Sequence, residues 1–147
     1  MKTENTAAAA KSYRSDVLHY AAENYGTAAE NLWMKFPGYA VLRHEENKKW
    51  YAIIMDVQWE KLGLSGNGYV DILEIKCDPN ISGSLLTKEG ILPAYHMNKG
   101  NWITVLLDGS VEKDMIFSLL DMSFAITADR KSRRKAQMGD EAETKSH

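Results

Sequence analysis

The run WITVLL at positions 102–107 is the most continuous apolar stretch in the chain, and Asp108-Gly109 ends it abruptly. A short run rich in β-branched and aromatic side chains, bounded by breakers, reads as a buried strand rather than a helix. Residues 98–101 upstream read as a turn, and 95–97 as a short strand leading into it.

Other strands fall around this one. Residues 39–43 and 50–57 form a predicted hairpin whose polar tip is His44-Glu45-Glu46-Asn47-Lys48-Lys49. Ile53 and Ile54 must lie on opposite faces of one strand, which suggests burial on both sides. The glycine-bearing loop 62–68 leads to a further strand over 69–77. Asp78-Pro79 is an N-cap followed by proline at the first helical position, opening a short helix with Ile81, Leu85 and Leu86.

Two longer helices flank the strands. Ser12 is the expected cap of the first, whose stripe is Val17, Leu18, Ala21, Ala22 and Tyr25, with Gly26 at its C-terminal stop. Thr27-Ala-Ala-Glu30 has the capping-box pattern of a second short helical turn. Ser110 is the expected cap of the last helix, which carries Met115, Ile116, Leu119, Leu120 and Phe124. Short loops between strands favour antiparallel pairing. The expected fold is therefore α+β in two layers, an antiparallel sheet covered on one face by the N- and C-terminal helices. Residues 1–11 read as a loose leader, 12–128 as one domain, and 129–147 as a charged, disordered tail.

At 147 residues the chain is long enough to bury a core without a metal or a disulfide. Its one cysteine, Cys77, excludes an internal disulfide and a cysteine-based zinc site, and fits a reducing compartment. No apolar run approaches the ~18 residues of a membrane span. Residues 7–10 are too short for a signal core and follow Glu4. A cytoplasmic protein without a membrane partner is expected. The net charge of −2, from 18 basic and 20 acidic residues, excludes a globally basic nucleic-acid binder but leaves room for a locally basic face.

Residues 94–109, AYHMNKGNWITVLLDG, resemble the central signature of the MmcQ/YjbR family. The matching positions are His96, Met97, Asn98, Lys99, Trp102, Leu107, Asp108 and Gly109. Blocks at 39–44, 48–52, 55–57 and 78–84, with Gly90, are similar in the same order, so the resemblance spans about residues 12–128. It implies a frataxin-like α–β–α layer arrangement, the CyaY-like fold, and a bacterial double-wing DNA-binding protein.

Three constellations fit that implication, and each has an ordinary alternative. His96, Asn98 and Lys99 sit together, where lysine can reach a phosphate and asparagine or histidine a phosphate or base edge; the same turn can simply hold a hairpin. Arg43, Lys48 and Lys49 surround a hairpin tip, as in a DNA-binding wing, although Glu45 and Glu46 repel phosphates. Arg130, Arg133 and Arg134 belong to a basic block that could neutralise several phosphates or serve as a solvated terminus.

No catalytic set can be placed, since no serine or cysteine stands in a nucleophile–base–orienter pattern. Cys77 reads as a small buried hydrophobe. A metal site shared by His44 and His96, or an acidic ridge on the first helix with only Asp16 and Glu23, lacks ligands. The expectation is a non-enzymatic, monomeric DNA-binding protein with no cofactor or metal. The alternative is a protein- or small-ligand-interaction module with no nucleic-acid role, where Trp33, Trp50, Trp59 or Trp102 lines a groove.

Overall fold

The computed structural model describes residues 11–128. Along the chain come α1 (Arg14–Tyr25), β1 (Ala40–Arg43), β2 (Trp50–Gln58), a 3-10 turn (Trp59–Leu62) and β3 (Tyr69–Lys76). They are followed by α2 (Pro79–Leu85), β4 (Ile91–Pro93), β5 (Trp102–Leu106) and α3 (Lys113–Thr127). The strands make one sheet in the order β1-β2-β3-β5-β4, with every neighbouring pair antiparallel. The run that opened the sequence reading becomes β5, inside the sheet, and its five residues are all buried.

Helices α1 and α3 cover one face. Val17 and Ala21 of α1 and Ile116, Leu119 and Leu120 of α3 pack on Leu42, Ile54, Leu73, Ile75, Ile103 and Val105 of the sheet. Each such leucine or isoleucine, fully buried, contributes roughly 1.5–3 kcal/mol. The helices are tied to each other through Asp121, whose carboxylate accepts hydrogen bonds from the hydroxyls of Tyr20 and Tyr25. Ser12 accepts from the Arg14 N–H at 3.1 Å and donates to Asp71 of β3 at 2.6 Å, so the start of α1 is pinned to the sheet. The architecture is the expected two-layer α+β arrangement. The α–β–α order holds along the chain, but both long helices lie on one face, and loops cover the other.

One irregularity assigns side chains to faces. Leu42 pairs with Ala52 while Arg43 pairs with Trp50, so Tyr51 is an extra residue in β2. This bulge sends Tyr51 and Ala52 together into the helix-side core and leaves Trp50 on the opposite face. Ser123 of α3 satisfies the bulge, donating to the Tyr51 carbonyl and accepting from the Lys76 N–H. Beyond it the alternation resumes, with Ile53, Met55 and Val57 on one side and Ile54 on the other.

Several local expectations are corrected. Thr27–Glu30 opens no helix: the Thr27 hydroxyl accepts from Tyr51, and Glu30 makes an isolated bridge with Val41 that covers the β1 edge. Residues 95–97 are not a strand; the edge strand lies upstream at β4, and Pro93 suits an edge because it cannot donate to a further neighbour. Ser110 bonds Asp108, and α3 begins three residues later without a side-chain cap. Asp78 caps α2 as expected, accepting from the Asn80 N–H, yet Ile81 and Leu86 are exposed rather than packed. The leader up to residue 10 and the tail 129–147, with Arg130, Arg133 and Arg134, lie outside the described residues.

Gly90 joins the region after α2 to β4 with φ +84°, and a Cβ there would lie 2.5 Å from Ser110 Oγ and 2.6 Å from Val111 Cγ2. Gly83 sits in α2 with nothing within 4 Å of its would-be Cβ. Gly90→Ala is expected to cost about 2–4 kcal/mol, while Gly83→Ala gains about 0.5–1 kcal/mol. Chemical denaturation of the two variants beside the parent checks this; equal stabilities would contradict the packing at Gly90.

Candidate nucleic-acid interface

Two turns leave the same end of the sheet. The first, residues 44–49, joins β1 to β2; the second, 98–101, precedes β5. Lys76 at the end of β3 pairs with Trp102 at the start of β5, and Ala52 near the start of β2 pairs with Ile75. The two turns are therefore separated by β3 alone, about 10 Å at the usual strand spacing. Lys48, Lys49 and Lys99 are exposed there, and Lys76 stands between, 6.0 Å from the centre of the Trp102 ring. Glu45, Glu46 and Asp78 are exposed at the same end.

The first turn is fastened rather than free. His44 is buried, with Nε2 2.8 Å from the Thr127 hydroxyl. Asn47 donates to the Thr127 carbonyl and accepts from the Lys49 N–H. Lys48 carries the left-handed backbone of the turn, at φ 62°. Arg43 forks onto Glu30 at 2.6 and 2.7 Å; the pair holds the Glu30 carboxyl below its usual range and raises the guanidinium. Arg43 is thus charge-compensated.

In the second turn, Asn98 Oδ1 accepts from the Gly100 N–H at 2.7 Å, and its carbonyl accepts from Asn101 and Trp102. Asn98 therefore builds the turn. His96 does not share a strand face with it. It is exposed, adopts φ 60°, and meets the Tyr95 ring edge-on at 4.1 Å.

The sheet face away from the helices holds a groove of about 830 Å³. Its floor is Ile53, Met55 and Val57 of β2; one wall comes from the segment before β1 and the other from Tyr95, His96 and Met97. Trp33 stands edge-on between Tyr39 and Trp50, 5.8 Å from each, and Phe36 stacks on Tyr39 at 4.7 Å. Burial, then the nearby Tyr95 and Asp56, push the Tyr39 phenol up. Lys35 and Lys61 line it as exposed cations, with Asp56 as the acid. Of the tryptophans, Trp33 and Trp50 line this groove, Trp59 packs against the same apolar cluster and Trp102 is buried.

Beneath Tyr95 lies Glu74 of β3, fully buried. It accepts from the Thr104 hydroxyl and, at 3.2 Å, from the Tyr95 N–H. Burial pushes its carboxyl up to about 8, against the opposing pull of these bonds and of Lys99. A carboxyl at mid-strand among isoleucines has no signature in sequence, and the sequence reading missed it. Lys35, Lys61 and the tyrosines of the groove were missed for the same reason: they converge from segments distant along the chain. Among the described residues no three His, Cys, Asp or Glu side chains gather as metal ligands, and no helix is long and apolar enough to cross a membrane. Cys77 is buried and its thiol pushed up by burial.

A family model described as YjbR matches residues 23–126. The chain belongs to the YjbR family. That agrees with the resemblance carried by residues 94–109. The match takes in both turns and the groove, and leaves the tail arginines outside. The uncharacterized protein YyaQ of Bacillus subtilis (strain 168) is 47% identical over 114 residues, covering 78% of this chain and 97% of that protein. A crystal structure of a Pseudomonas syringae protein is 48% identical, with TM-score 0.76 over 78% of this chain and 98% of that one. Deinococcus radiodurans DR2400, at 22% identity and TM-score 0.64 over 86% of this chain and 88% of its own, shares the fold.

Glu74 makes the stability of this YjbR chain depend on pH. Its carboxyl titrates near 4.5 when exposed and near 8 when folded, so the folded state holds a proton that the unfolded state releases between those values. Stability from this group is full below pH ~4.5, falls as pH rises and is lost above ~8. From pH 5 to pH 8.5 the parent is expected to lose on the order of 2–4 kcal/mol more than Glu74→Gln. Urea unfolding of both proteins across that range checks it; parallel pH profiles would refute the buried protonated carboxyl.

Proposed function

We propose that the protein binds DNA without catalysing a reaction, gripping phosphates with the two lysine-bearing turns at one end of its sheet. The observation that carries this reading is the placement of Lys48-Lys49 and Lys99 on turns about 10 Å apart, with Lys76 between them. Compact ammonium groups on flexible stems suit phosphate oxygens as point charges. It is in keeping with the double-wing DNA-binding mode that the family resemblance implies. Tying His44 and Asn47 to the end of α3 lowers the entropy lost when the first turn meets a ligand. The acids Glu45, Glu46 and Asp78 at that end temper affinity, so this binder is strongly salt-sensitive and weak at physiological salt. A cytoplasmic setting, with DNA at hand and Cys77 reduced, fits the same reading.

A second reading, an interaction module for a protein or small ligand with no nucleic-acid role, draws on Leu32, Met34 and Phe36, all exposed beside the groove.

Fluorescence anisotropy on labelled DNA at ~50 mM salt tests the first reading. Affinity should fall log-linearly with salt, by about 0.9 per phosphate engaged. Lys48→Glu combined with Lys99→Glu should weaken binding at least about tenfold and flatten the salt slope by about two. No binding to duplex or single strand at that salt removes the DNA reading and leaves the second.

A further inference from the structure

We infer that the groove on the sheet face away from the helices is a single-strand site, in which unpaired bases stack on its aromatic side chains while lysines at its ends hold the flanking phosphates. This rests on the DNA reading and specifies the form of DNA taken.

Both lysine-bearing turns adjoin groove residues along the chain. Lys49 is followed directly by Trp50, a groove residue, and Met97, in the facing wall, by Asn98-Lys99. At the other end of β2, Lys61 on the 3-10 turn lines the groove, and Lys35 stands beside Phe36 on the near wall. Cations thus lie near both ends of β2, whose nine residues span about 26–30 Å of strand. That is the span of a short run of nucleotides, at the lower end of single-strand site sizes. Neither Lys35 nor Lys61 has an ion-pair partner among the described residues. The acid lining the groove with them is Asp56, whose carboxylate lies against Gly38, where a Cβ would come within 2.3 Å of its Oδ1.

The aromatic groups decide between the forms of DNA. Trp33, Phe36, Tyr39, Trp50 and Tyr95 are gathered inside a concavity, against an apolar floor. A duplex offers its outside, the sugar–phosphate backbone and groove edges, and keeps its base faces stacked on each other, so recessed rings have nothing to meet. An unpaired base has an open π-face and can enter. Phe36 is 49% and Tyr69 63% exposed, an apolar surface that water covers poorly and a base covers well. His96 holds an exposed, left-handed backbone position that L side chains rarely adopt, with the imidazole at the rim beside Tyr95.

The test uses the full chain and three probes: a fluorescein-labelled oligothymidylate of about 12 nucleotides, within the usual site-size range, a duplex of the same length, and thymidine monophosphate as competitor. The oligothymidylate is expected to bind at least tenfold more tightly than the duplex and to quench tryptophan fluorescence. Trp33→Ala should weaken single-strand binding roughly tenfold, as should Lys35→Glu with Lys61→Glu, leaving duplex binding unchanged. The lysine pair is exposed and outside the core, so it carries the test if Trp33→Ala fails to fold. Duplex binding equal to or tighter than single-strand binding overturns the inference while the DNA reading stands. Tight single-strand binding that neither groove variant alters overturns it too, as does a mononucleotide that competes at the oligonucleotide's concentration. No binding of either DNA form removes the inference together with the reading beneath it.

Discussion

The extra residue at Tyr51 is the constraint on which the two faces of this molecule depend. A regular β2 would place Trp50 with Ala52 and Ile54 under the helices and Tyr51 beside Ile53 in the groove. The bulge reverses both. Tyr51 enters the helix-side core, reaches Thr27 with its hydroxyl and meets Tyr25 and Phe124 edge-on. Trp50 is released to stand against Trp33. The backbone polarity freed by the bulge is taken up by Ser123 of α3, so the helix that covers one face also holds the irregularity that furnishes the other.

The face away from the helices is held by a second polar device. Glu74 and Thr104, on adjacent strands, receive the Tyr95 N–H from above. That anchors the wall of the groove, and Asn98 then closes the turn through Gly100 and Trp102. Asn98 is thus a structural residue of the turn and Lys99 its exposed group. A buried carboxyl carries a desolvation cost that neutralisation relieves. What the polar pair supplies is an acceptor for the Tyr95 N–H, which belongs to no strand.

Much of the fold was legible in sequence where local chemistry is strong. Asp78-Pro79 marks a helix start by itself, Gly26 a helix end, and Ile53-Ile54 a strand buried on both sides. Misreadings fell where two local rules competed. Thr27-Ala-Ala-Glu30 satisfies the capping-box pattern, but Glu30 finds Arg43 and Val41 across the chain, and tertiary pairing outweighs a helical turn too short to nucleate. Tyr95-His96-Met97 has strand composition, yet the sheet edge was already taken by Ile91–Pro93. Of the candidate contacts, the exposure of Lys48, Lys49 and Lys99 was readable from turn chemistry. The pairing of Arg43 with Glu30 and the burial of His44 were not, because their partners lie 13 and 83 residues away.

By itself the sequence determined the family, the two long helices, the hairpin and the strands at 69–76 and 102–106, and a two-layer α+β architecture, because hydrophobic periodicity and caps act over a few residues. Only the tertiary structure decided what the second face of the sheet holds. Trp33, Tyr39, Trp50 and Tyr95 come from four separate stretches, and their convergence depends on strand order, on one bulge and on a buried carboxyl. None of these leaves a periodic trace, since each arises from the register between segments rather than from spacing within one.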